Sequence, residues 1–156
     1  MQMQRREFVR SASGTGLFIL LVGAGLIKTG ELRAETWNKA AFETTTLPEL
    51  MKTLGGEEPL TSADIVIDAP EIAENGAVVP IAVSTSLPAV SMIAILIEKN
   101  PNLLAASFNL PEGTLADVQT RVKMAQTSNV YALIKTGSRF VYATKEIKIT
   151  LGGCGG

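Results

Sequence analysis

Val118-Gln119-Thr120-Arg121-Val122-Lys123-Met124 alternates apolar with long polar side chains. Successive side chains of a β-strand point to opposite faces, so this pattern predicts a strand with one buried and one wet face. Ile147, Ile149 and Leu151 alternate in the same way. Outward from these two stretches, short β-rich runs recur at 64–68, 77–84, 91–98, 103–110, 117–125, 130–136, 140–144 and 145–151. Turn signals separate most of them: Asn75-Gly76, Lys99-Asn100-Pro101, Pro111-Glu112-Gly113, Ser128-Asn129 and Gly137-Ser138. Gly137-Ser138 suits a two-residue hairpin. Seven or so short strands at regular spacing, with no interleaved helices, predict an all-β, immunoglobulin-like antiparallel sandwich over 57–151. A small barrel is the alternative. The apolar run Ser91-Met92-Ile93-Ala94-Ile95-Leu96-Ile97 could face the core or a partner, with the core favoured.

Upstream, 35–56 reads as a short helical segment. Trp37, Ala40, Ala41 and Phe42 share one helical face, Pro48 breaks the pattern, and a second short helix ends at Gly55-Gly56. Thr45 or Thr46 can cap that second helix, because a hydroxyl there accepts from amides that lack partners at a helix start. Both helices are expected to cover an edge or end of the sheet.

Downstream, 152–156 reads Gly152-Gly153-Cys154-Gly155-Gly156, and Cys154 is the chain's one cysteine. Glycine loses more conformational freedom on ordering than any other residue, so four of them around a thiol resist packing into a strand or helix. The expectation is a mobile arm hung from the last strand, with no intramolecular disulfide open to it. No charged side chain lies within two residues of Cys154, and the terminal carboxylate opposes thiolate formation. Such a thiol titrates near ~8.5, so only a few per cent, roughly, is thiolate at neutral pH. Cys154 therefore reads as a group on which other enzymes act, with no catalytic residue in the chain itself.

At the other end, Arg5-Arg6-Glu7-Phe8-Val9-Arg10 precedes an apolar run from Gly14 to Ile27 and a small residue at Ala34. A basic start, an apolar stretch and a small-residue cut site predict a cleaved twin-arginine export signal over 1–34, with Arg5, Arg6 and Phe8 as its marks. The run is shorter than the ~20 residues a bilayer crossing needs, so no stable membrane anchor is expected. The compartment expected is the periplasm. Removing 1–34 leaves nine basic against thirteen acidic residues, a formal charge of −4. An acidic chain with few aromatics is a poor nucleic-acid binder.

The sequence contains no histidine. That removes histidine general bases, Ser-His-Asp and Cys-His activation, and histidine metal ligation. One cysteine cannot build a zinc, iron-sulfur or c-type haem site, so neither metal nor cofactor is expected. The carboxylates at Glu57-Glu58, Glu71 and Glu74 read as solvated turn residues.

Taken together, the leader, Glu74-Asn75-Gly76-Ala77-Val78-Val79-Pro80, Glu98-Lys99-Asn100-Pro101, Thr120-Arg121-Val122-Lys123-Met124-Ala125, Lys145-Glu146-Ile147-Lys148-Ile149-Thr150 and the Gly-Gly-Cys-Gly-Gly end resemble SoxY, the carrier family of thiosulfate oxidation. The resemblance implies a non-catalytic periplasmic carrier that pairs with SoxZ and bears sulfur intermediates on Cys154. It further implies loading by the c-type cytochrome enzyme SoxAX and hydrolysis by the manganese-dependent SoxB. Where a sulfane dehydrogenase is present, that enzyme acts as well. Two other readings of the tail are a ubiquitin-like carrier, with sulfur on a terminal thiocarboxylate at Gly156, and an exported structural module with a disulfide-forming Cys154. The leader and the many-stranded pattern disfavour the first, and the flanking glycines disfavour the second.

Overall fold

Met92 to Ile97 is six buried residues in a row, a pattern that a strand shows only when both of its faces are covered. In the computed structural model, which describes residues 38–150, this run is the heart of β5 (Val90–Ile97). Ile93, Ile95 and Ile97 point into a sandwich core with Val79, Ile81 and Val83 of β4 (Val79–Thr85) and with Val130, Ala132 and Ile134 of β8 (Ser128–Thr136). Met92, Ala94 and Leu96 point the other way, into a second core with Leu133, Phe140, Leu103 and Leu104. The lid of that second core is helical: Ala41 from α1 (Lys39–Phe42) and Leu50 and Met51 from α2 (Leu47–Thr53). Both helices therefore cover the outer face of a sheet, where an edge or end was expected. The reason is the second apolar face of β5, which needs a cover.

The remaining strands are β1 (Leu60–Thr61), β2 (Ile65–Asp68), β3 (Ile72–Ala73), β6 (Leu104–Asn109), β7 (Asp117–Val122) and β9 (Arg139–Ile149). One sheet runs β1-β9-β8-β5-β6, with β3 also on β9, and the other runs β2-β4-β7. The fold is an immunoglobulin-like β-sandwich whose long pairings are all antiparallel. The two-residue strands β1 and β3 depart from this by pairing parallel to β9, at its start and at its end. Between them Lys145 Nζ donates to Ala69 O at 2.6 Å. A charged side chain thus occupies an edge that would otherwise invite another strand.

Two further expectations are corrected. The runs 140–144 and 145–151 belong to one strand, β9, because β8 pairs with it without interruption from Arg139 to Ile147. Ser128-Asn129 opens β8 and makes no turn, since both residues pair with β9. Gly137-Ser138 is the two-residue loop of that hairpin.

Local chemistry fixes the helices. Thr46 caps α2 by accepting from Glu49 N, and Glu49 reaches back to accept from Thr45 N and Oγ1, both at 3.3 Å. Those hydrogen bonds hold the exposed Glu49 carboxyl below its ordinary value. Pro48 lies in the first turn of α2, where its missing N–H costs nothing, so it starts a helix and does not break one. Gly55 ends α2 at φ +68, with Gly55 N bonded to Lys52 O and Gly56 N to Met51 O. This is the closing pattern that a left-handed residue permits.

Candidate functional site at one end of the sandwich

Arg5, Arg6, Phe8, Gly152, Gly153, Cys154, Gly155 and Gly156 lie outside the described residues. The structure does describe the platform from which the arm departs. β9 is the longest strand, at eleven residues, and it is paired on one side by β8 and at its end on the other by β3. Its last amides are tied down as well: Ile149 N donates to Thr127 Oγ1 at 2.9 Å and Thr150 N to Ala73 O at 3.2 Å. Cys154 follows Thr150 by four residues, a reach of roughly 13–14 Å when extended.

The fold gathers around that root four segments that are distant in sequence. Met124 N donates to Gly76 O at 2.7 Å, joining the β3–β4 turn to the chain leaving β7. Gly76 is required there, since a Cβ would lie 2.5 Å from Met124 O and 3.1 Å from Ile149 Cγ2. Asn75 shapes the same turn by accepting from Ala77 N at 2.9 Å. Asn100, in the β5–β6 turn, donates through Nδ2 to Lys123 O at 2.8 Å and accepts from Ala125 N at 3.1 Å. Lys99 N donates to Ser128 Oγ at 3.0 Å, and Asn129 Nδ2 donates to Glu98 Oε2 at 2.9 Å. Burial, and then the nearby Glu98 carboxylate, push the Tyr131 hydroxyl above its ordinary value beside this network.

Among the described residues, no three side chains of metal-binding type gather, and no helix is long and apolar enough to cross a membrane. What the described surface offers near the root is a rigid base, with a groove of about 370 Å³ lined by Asn100, Pro101, Leu104, Ala105, Arg121 and Lys123 among others. Sequence reasoning did not find this groove. Its walls come from a turn and a strand whose adjacency only the topology creates.

The chain matches the family "Sulfur oxidation protein SoxY" over residues 50–154, a stretch that takes in Cys154. Among solved structures it is similar to the sulfur carrier protein SoxY from Chlorobium limicola f thiosulfatophilum. The two share 35% identity with a TM-score of 0.61, over 67% of this chain and 94% of that one. It is also similar to a superoxide reductase (neelaredoxin) from Ignicoccus hospitalis at 21% identity and a TM-score of 0.50, over 55% of this chain and 80% of that one. The latter likeness bears on the fold alone. No curated protein matches the chain.

Proposed function

Because the chain belongs to the SoxY family of sulfur oxidation proteins, we propose that it is a periplasmic carrier that holds thiosulfate-derived sulfur covalently on Cys154. The observation that carries this reading is the junction of β9 with the tail. β9 ends at Ile149, five positions before the chain's one thiol, and the backbone is still hydrogen-bonded at Thr150. A fixed base and a glycine-rich tip let one thiol enter several partner sites in turn. Covalent tethering keeps the intermediate at high effective concentration for each of them.

In this reading the chain supplies the sulfur atom and its presentation, and partner enzymes supply the chemistry. Conjugation joins Cys154 Sγ to the outer sulfur of thiosulfate, releases the thiol proton and passes two electrons to a c-type cytochrome partner, SoxAX. A manganese-dependent hydrolase, SoxB, then adds water across the terminal sulfur–sulfur bond, freeing sulfate and leaving a persulfide on Cys154. SoxZ is the standing partner of the complex, and a sulfane dehydrogenase oxidises the remaining sulfur where it is present. The leader with Arg5, Arg6 and Phe8 supports export by the twin-arginine route.

Two experiments test this. Cells carrying Cys154→Ser in place of the native chain are expected to lose thiosulfate-dependent oxygen uptake while the chain's abundance and thermal unfolding stay unchanged. Undiminished uptake would refute the carrier reading. Replacing both Arg5 and Arg6 with lysine should leave the chain, and SoxZ with it, in the cytoplasmic fraction; normal export would refute the proposed route.

A further inference from the structure

We propose that the groove between the β5–β6 turn and β7 is a resting site for the chain's own arm when Cys154 carries its anionic sulfur adduct. This deepens the carrier reading and rests on it. Arg121 and Lys123 project from alternate positions, i and i+2, at the end of β7 and its continuation, so both lie on one face of that segment. Both are exposed, neither makes an ion pair among the described residues, and no carboxylate lines the groove. The opposite wall is held in place by the Asn100 side chain, which bonds Lys123 O and Ala125 N. The two cations therefore flank a rigid trough with nothing in the described surface to neutralise them.

Length and charge select the occupant. From β9 to β6, the sheet edge beside the groove, there are three strand steps through β8 and β5. At ~4.8 Å each these span roughly 14 Å. From Thr150 to Cys154 the extended chain spans roughly 13–14 Å, before the side chain and its adduct are added. Loading adds negative charge to the arm: the Cys154–S–SO3⁻ adduct brings a sulfonate that the neutral thiol lacks, and Arg121 and Lys123 offer it two cations. A guanidinium presents paired donors suited to a sulfonate's oxygens, and an ammonium adds a point charge. Such an exposed contact is weak when untethered, but the millimolar effective concentration of a short tether offsets that weakness. Loading would thereby draw the adduct back onto the sandwich between partner visits.

The test uses the full chain, isotope-labelled for amide NMR and loaded with tetrathionate. The Cys154 thiolate attacks one of the inner sulfurs, a new Sγ–S bond forms, the central S–S bond breaks, and thiosulfate leaves with the electron pair, so no added oxidant is needed. The expected result is that amides of Asn100, Asn102, Arg121 and Lys123 shift on loading, while Gly137 at the far end stays in place. The shifts should vanish in the double variant Arg121→Gln, Lys123→Gln, and in ~1 M salt, where screening acts over about 3 Å. A chain loaded by mass whose groove amides do not move would overturn the proposal. So would equal shifts in Cys154→Ser given free thiosulfate and tetrathionate, or shifts that appear only when a partner protein is added. A failure of Cys154 to be loaded in living cells would sink the carrier reading instead, and would leave the tetrathionate result to stand by itself.

Discussion

Gly76 is where a single atom decides the geometry of the arm's root. It is buried, its carbonyl accepts from Met124 N, and any side chain would collide with Met124 O at 2.5 Å. Backbone on both sides leaves little to give way, so Gly76→Ala is expected to destabilise the fold by about 1–3 kcal/mol. Urea unfolding checks this through a lowered midpoint at unchanged slope. An unchanged midpoint would mean that the turn and the chain after β7 separate without cost. The sequence marked Asn75-Gly76 as a turn and nothing more, because Met124 lies 48 positions away and no local pattern reports so distant a contact. Cys154 is the opposite case. The expectation for it rests on its four neighbouring glycines alone and falls outside the described residues.

The helical layer shows what an element contributes beyond its own length. α1 has four residues and α2 seven, too few to be stable alone, so tertiary packing must hold them. Leu50 is fully buried between α2 and the outer face of β5 and β8. Leu50→Ala is expected to cost about 2–5 kcal/mol, read by chemical denaturation. A loss well below 1 kcal/mol would mean that the helices add little to the sandwich. Strands such as β7, with one buried face, announced themselves by period two. β5 did not reveal which of its faces met what, because both faces are apolar and the run Met92 to Ile97 reads the same from either side. β1 and β3, at two residues each, are too short to carry any period and exist only because β9 offers them an edge.

At the scale of the whole molecule, the sandwich places the root of the arm, the Asn75-Gly76 turn, the Asn100 turn and the chain leaving β7 at one end. Each of these segments was visible in the sequence as a motif. Their convergence was not, because antiparallel topology alone decides which turns share an end. Among the described residues no three metal-binding side chains gather there; in the proposed reading the molecule holds and presents the sulfur and partners supply the chemistry. The most direct test is intact-protein mass spectrometry of the chain isolated from cells oxidising thiosulfate, with and without reductant and alongside Cys154→Ser. Reductant-sensitive adducts with the mass of thiosulfate or sulfane sulfur are expected on the native chain and not on the serine variant. A thiol found unmodified, or only as a symmetrical disulfide dimer, would contradict the carrier reading.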